Sequence, residues 1–311
     1  MGHSRWDEGV SATYTSSVAH TPREELFSRR SLDNGMNPKG VEFREARDSD
    51  LNPNTTPIII GLDVTGSMGY LSEHIAKTGL HIMVNEILER RPVSDPTVLI
   101  MGIGDAIHDR APIQVGQFES DIAITSWLEA LYLEGGGGGN RMESYDLPYY
   151  FAAVHTRTDN FELRNQPGVI ITIGDEGPWP ITRRTDVQKY IGGGIENDIP
   201  FNDLISMVRP MYIPYHIIIA EGSHARAVGQ DSLKREWSQY LGQNVLVLED
   251  HTKIAQLIVS ILEIEAGRSV NDAINSWPAD VRRHLNLAFE GYNPEAADGH
   301  PRLPRRLDVP A

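Results

Sequence analysis

A carboxylate and two hydroxyls stand two residues apart in Asp63-Val64-Thr65-Gly66-Ser67, directly after the apolar run Pro57-Ile58-Ile59-Ile60-Gly61-Leu62. Alternation along the chain lets the three oxygens converge on one point, and the helix that follows adds backbone N–H groups at its N-terminus. Hard oxygen ligands of this kind suit Mg²⁺, with Mn²⁺ or Ca²⁺ as alternatives, rather than a soft metal. A second apolar run, 168–174, ends in Asp175-Glu176-Gly177 and carries another carboxylate to a strand tip. Between the two runs comes Gly135 to Gly139, then Asn140-Arg141-Met142-Glu143-Ser144. A glycine string lets backbone approach a ligand closely. Glu143, Asn140 or Ser144 would then sit near the start of the next helix.

The elements that must position these residues are legible as strand–helix alternation. Nearly continuous apolar runs at 57–63, 97–104, 168–174, 215–220 and 244–248 read as parallel strands covered on both faces. A sixth run, Ile113 to Phe118, alternates and reads as a half-exposed edge strand. Helical spacing marks Leu71, Ile75, Ile82, Met83 and Ile87, then Trp127, Leu128, Leu131 and Tyr132, then Ile254, Leu257, Ile258, Ile261 and Leu262. The expected fold is α/β: a doubly wound, Rossmann-like, mostly parallel sheet with one antiparallel edge strand and helices on both faces. Ligands of such sheets bind in the crevice outside the carboxyl ends of the strands. Three parts are expected: a polar N-terminal arm over 1–56, the metal-binding domain over 57–266, and a helical segment with a Pro/Arg tail over 267–311. The arm reads as a flexible leader or as a segment that wraps the domain or a neighbouring subunit, and its Trp6, Tyr14, Leu26, Phe27 and Phe43 are spaced to plug separate pockets.

Each residue also has an ordinary structural role open to it. Asp63 and Ser67 are common helix N-caps, though capping needs one such residue and not three. Asp175 before Glu-Gly suits a turn. Asp105 and Asp109 follow a strand and read as a solvated loop or as part of the same rim. His216 lies within an apolar run and reads as a core histidine, while His224 follows the strand tip.

The first loop resembles the von Willebrand factor type A family, whose metal-ion-dependent adhesion site begins Asp-x-Ser/Thr-x-Ser. Asp63-Val64-Thr65-Gly66-Ser67-Met68 matches that pattern, and Asp175-Glu176-Gly177 is similar to the family's third-loop aspartate. The second loop departs from it: a Thr is usual there, whereas Gly139 to Ser144 resembles glycine-rich variants in which a Glu takes the role. The resemblance covers roughly 57–265 and implies a metal set of Asp63, Thr65, Ser67, Glu143 and Asp175. Stand-alone bacterial and phage-encoded members look most similar.

Composition narrows the partners. A formal net charge of −15 over 311 residues argues against a general nucleic-acid or anionic-membrane surface. No apolar stretch reaches the ~20 residues that span a bilayer, and the polar start Met-Gly-His-Ser-Arg-Trp lacks the apolar core of a secretory signal. A cytoplasmic location is the expectation. The absence of cysteine excludes disulfides and thiolate zinc sites. The function expected is a non-enzymatic module that captures a partner protein through an acidic side chain completing the metal shell. Two alternatives stay open: a hydrolase with Ser67 as nucleophile, Asp175 and either His224 or His251, and an assembly subunit whose metal only stabilises the fold.

Overall fold

The computed structural model describes residues 30–136, 142–294 and 303. Six strands form the central sheet: β1 (Thr56–Asp63), β2 (Pro96–Ile103), β3 (Ile113–Val115), β4 (Gly168–Gly174), β5 (Tyr212–Ile219) and β6 (Val245–Leu248). Their spatial order is β6-β5-β4-β1-β2-β3, parallel throughout except that β3 runs antiparallel to β2. The fold is therefore the expected doubly wound α/β sheet. The chain leaves β1 outward to β2 and β3, then returns to the other side of β1 with β4. The strand order reverses between β1 and β4, which is where such sheets open a ligand crevice.

Side-chain alternation divides the core into two layers. Ile58, Ile60 and Leu62 of β1 face a layer that contains Leu80, Met83, Val84 and Ile87 from the helix Leu80–Arg90 and Leu257, Ile258 and Ile261 from the helix Ile254–Glu265. Ile59, Leu99 and Met101 face the opposite layer, with Tyr149, Phe151, Phe201 and Trp237. Each buried aliphatic or aromatic side chain of this kind contributes about 1.5–3 kcal/mol. Burial on both faces explains why all residues of β1, β2, β4 and β5 are inaccessible and why their sequences show no alternation.

β3 differs from its expectation. It is the antiparallel edge, yet every residue is buried. The reason is a side-chain clasp: the Gln114 amide donates to the Tyr132 carbonyl at 2.9 Å and accepts from the Tyr132 N–H at 2.8 Å. The segment after the helix Ala123–Glu129 thereby covers the strand, with both polar ends of Gln114 satisfied.

The polar segment before β1 is tied to the domain by specific contacts rather than by a periodic apolar face. Met36 is buried in the first core layer, and Arg44–Ala46 pairs in parallel with Thr156–Thr158. Arg47 reaches Asp159 at 2.7 Å and Arg164 pairs with Asp48. Of the aromatic anchors expected there, Trp6, Tyr14 and Phe27, with Leu26, lie outside the described residues, while Phe43 is covered by the Arg157 guanidinium at 4.0 Å. After the sheet, the helices Val270–Asn275 and Ala279–Ala288 flank Pro278, and Trp277 between them donates to Ser260 at 2.9 Å. No helix among the described residues is long and apolar enough to cross a membrane.

Candidate metal centre

Strand register sets the site. Leu62 pairs with Ile173 and Asp63 with Ile103, so β1, β2 and β4 end at one level. Asp63 and Asp175 consequently leave neighbouring strands side by side, both fully buried. A continuous line of oxygens joins them. Asp63 Oδ1 accepts from the Thr65 N–H at 2.9 Å and from the Thr65 hydroxyl at 2.5 Å. Thr65 Oγ1 lies 3.2 Å from Ser67 Oγ, whose hydroxyl donates to Asp175 Oδ1 at 2.6 Å.

The outer oxygens are anchored from behind. The Tyr145 hydroxyl donates to Asp63 Oδ2 at 2.7 Å, and the His224 backbone N–H donates to Asp175 Oδ2 at 2.9 Å. Both approaches depend on glycine. A Cβ at Gly174 would fall 1.8 Å from the Tyr145 hydroxyl and 2.8 Å from Asp63 Oδ2. A Cβ at Gly222 would fall 2.3 Å from the Asp175 side chain. No backbone adjustment of tenths of an ångström accommodates either.

The second loop supplies Glu143. Met142–Glu143 pairs in parallel with Gly177–Pro178, which stitches this loop to the one that carries Asp175. Glu143 is 1% exposed and its Oε2 has no hydrogen-bond partner. A buried, unpaired carboxylate oxygen is costly unless something positive completes it. Ser144 is committed elsewhere: its Oγ accepts from the Ala106 N–H at 2.9 Å and its N–H donates to Gly104 at 3.0 Å. Asn140 lies outside the described residues. Gly135 and Gly136, the described start of the glycine string, lie against the first loop, with Gly66 donating to the Gly136 carbonyl.

Asp105 and Asp109 are buried at the same rim, and the solvated-loop reading of this pair is corrected. Asp109 Oδ2 accepts from the Asp105 N–H at 2.8 Å and the pair closes a turn against β2. Glu176 adds a further buried carboxylate whose Oε2 is unpartnered. His216 is the core histidine expected, with Nδ1 2.8 Å from Thr172 Oγ1 and its ring stacked on Trp237.

This crowding of acids governs the electrostatics. Burial first, and the Asp175 charge second, push the Asp63 carboxyl well above its ordinary range. Burial, then Asp63 and Glu176, raise Glu143 still further. Glu176 is pushed up to about 7 by burial and then by Asp175. Like charges confined in low dielectric disfavour joint ionisation, and a bound cation reverses that balance.

The carboxylates alone do not form a tight cage. Among the described residues one group of three His, Asp or Glu side chains has ligand atoms all within 4.8 Å of one another, and it is Glu221, Asp250 and His251. Asp63, Glu143 and Asp175 are instead spaced by hydroxyls, since Thr65 and Ser67 fill the interval between the two aspartates. The sequence offered no signal for the Glu221 group, because its members follow different strands and match no spacing motif.

No family model matches the chain, and no curated protein matches it. Solved structures do resemble it at low identity. The pilus adhesin SpaC from Lactobacillus rhamnosus GG, in an open conformation, is 10% identical with a TM-score of 0.48, over 74% of this chain and 31% of that one. A von Willebrand factor type A protein from Catenulispora acidiphila is 13% identical with a TM-score of 0.38, over 75% of this chain and 51% of that one. Proximal thread matrix protein 1 from the mussel byssus is 11% identical with a TM-score of 0.42, over 71% and 48%. The chain thus spans between 31% and 51% of the length of these proteins. At such values the likeness carries no argument about activity, and the fold class rests on the sheet topology itself.

Proposed function

We propose that the chain is a protein-binding module that holds a hard divalent cation, Mg²⁺ foremost, with Asp63, Thr65, Ser67, Glu143 and Asp175, and captures a partner's acidic side chain there. The line of oxygens from Asp63 through Thr65 and Ser67 to Asp175, at the point where strand order reverses, carries this reading. The donor set fits such an ion: carboxylates and hydroxyls only, with the Glu143 Oε2 left unpaired in a buried position. The von Willebrand factor type A resemblance of the first and third loops supports the same assignment. A bound cation would supply residual positive charge for an incoming carboxylate. The protein residues hold that ion, keep Asp63 oriented through Tyr145, and anchor Asp175 through the His224 N–H.

Nucleophilic catalysis is less well supported. The Ser67 hydroxyl donates to Asp175 rather than to His224 or His251, and the His251 ring is tied to Glu221 at 2.6 Å. We therefore assign no turnover to the chain. The test has two parts. Calorimetry should show stoichiometric Mg²⁺ or Mn²⁺ uptake that Asp63→Ala abolishes, and pull-down from source-cell extract should recover a partner in Mg²⁺ but not in EDTA. Uptake undiminished in Asp63→Ala removes the site, while capture that persists in EDTA removes the metal-bridged mechanism.

A further inference from the structure

A second cluster lies further along the same sheet edge, past the tips of β5 and β6. Glu221 follows β5, and Asp250 and His251 follow β6. Ligand atoms of the three lie within 4.8 Å of one another. Two more histidines close around them from separate helices. His74 ends the short helix Tyr70–His74, and its ring meets the His251 ring edge-on at 4.7 Å between centroids. His284, in the helix Ala279–Ala288, places Nε2 3.8 Å from Asp250 Oδ2.

Several observations separate this cluster from an ordinary surface ion-pair network. The Nδ1 atoms of both His74 and His284 are buried without a hydrogen-bond partner. Glu221 pairs only with His251 among the described residues: one oxygen, Oε2, accepts from both the His251 N–H at 2.7 Å and Nδ1 at 2.6 Å. A cation that displaces the proton shared by His251 Nδ1 and Glu221 Oε2 would find both ligand atoms together. The chain enters a π-helical turn, Ile75–Gly79, immediately after His74. Such turns recur at functional sites, where the extra residue re-aims neighbouring side chains. Glu221 and Asp250 keep 25% and 32% of their side-chain surface exposed, so an ion has a path from solvent.

We propose that Glu221, Asp250 and His251, flanked by His74 and His284, form a second cation site that selects a first-row transition ion, Zn²⁺ foremost, over Mg²⁺. The selectivity follows from donor type. Imidazole suits Zn²⁺, Co²⁺ and Ni²⁺, whereas Mg²⁺ prefers oxygen and gives up its waters reluctantly. This site shares no residue with the Asp63 centre, so it stands or falls independently of the function proposed above.

The full-length Asp63→Ala protein, which lacks the oxygen-lined centre, isolates the question. It should bind one equivalent of Zn²⁺ in calorimetry with millimolar Mg²⁺ present. Co²⁺ in its place should give the visible absorption of an imidazole–carboxylate complex. His251→Gln and His284→Gln in that background should each weaken Zn²⁺ binding by at least ~10-fold. His284 lies on a partly exposed helix face, so its variant keeps the test sharp if His251→Gln does not fold. Absence of stoichiometric Zn²⁺ uptake, or uptake unchanged in the folded histidine variants, overturns the proposal.

Discussion

The two clusters at the sheet's carboxyl edge differ in chemistry and in how they are assembled. Over β1 and β4 every donor is oxygen, the aspartates are inaccessible, and hydroxyls space the carboxylates. Over β5 and β6 the donors mix imidazole with carboxylate, and the acids are a quarter to a third exposed. The first cluster therefore stores the greater electrostatic tension, with carboxyls held above their ordinary range by burial and by one another. In the second, partly solvated acids pair with histidine. One edge of one sheet thus carries an all-oxygen cluster at its centre and a mixed imidazole–carboxylate cluster toward its rim.

The strongest way to break this comparison is to damage the first cluster through its backbone. Gly174→Ala should drive a methyl group into the Tyr145 hydroxyl and Asp63. Loss of Mg²⁺ binding is expected, with destabilisation of about 3 kcal/mol in denaturant unfolding, while Zn²⁺ uptake at the Glu221 group persists. Concurrent loss of both ions from a folded variant would show that the two clusters are one site.

A smaller effect concerns pH. Glu176 has a folded value near 7, above its ordinary 4.5, so its ionisation opposes folding. Its contribution to stability is intact below pH ~4.5 and is lost as pH rises through ~7. Glu176→Gln removes that penalty, so in EDTA the variant should gain about 2–3 kcal/mol on wild type between pH 5 and pH 8. Saturating Mg²⁺ should shrink the gain, because the cation favours the ionised acid. A difference between variant and wild type that does not change with pH would contradict the tension ascribed to this rim.

The smallest expected effect is that of Tyr145→Phe. It deletes the hydrogen bond to Asp63 Oδ2 and leaves the ring packed against His216 and Trp237. A loss of about 1–2 kcal/mol of stability and a modest fall in Mg²⁺ affinity are expected by calorimetry. An unchanged affinity would mean that Asp63 is oriented by Thr65 alone.

Much of the first region was legible before folding, because its signals are local. Apolar runs ending in Asp63 and in Asp175 are short-range patterns, and covered parallel strands leave no other place for such runs than the centre of a sheet. The Asp63–Thr65–Ser67 spacing is fixed by backbone alternation within five residues. What escaped the sequence depended on partners distant in the chain. Gln114 hides an edge strand because Tyr132 answers both ends of its amide. Asp105 and Asp109 are buried because Gly136 and Ser144, distant in the chain, pack against the tip of β2.

By itself, then, the sequence determined the alternating α/β order, the strands that carry Asp63 and Asp175, and the hard-oxygen character of the first loop. Tertiary structure alone decided that β1 and β4 are neighbours, that Tyr145 and the His224 N–H anchor the two aspartates, and that Glu143 turns an unpaired oxygen inward. It alone gathered His74, Glu221, Asp250, His251 and His284 from segments spread over some two hundred residues. The physical reason is range: periodicity and spacing report what a few residues impose on each other, whereas a ligand set assembled across a sheet edge exists only once strand order and register are set.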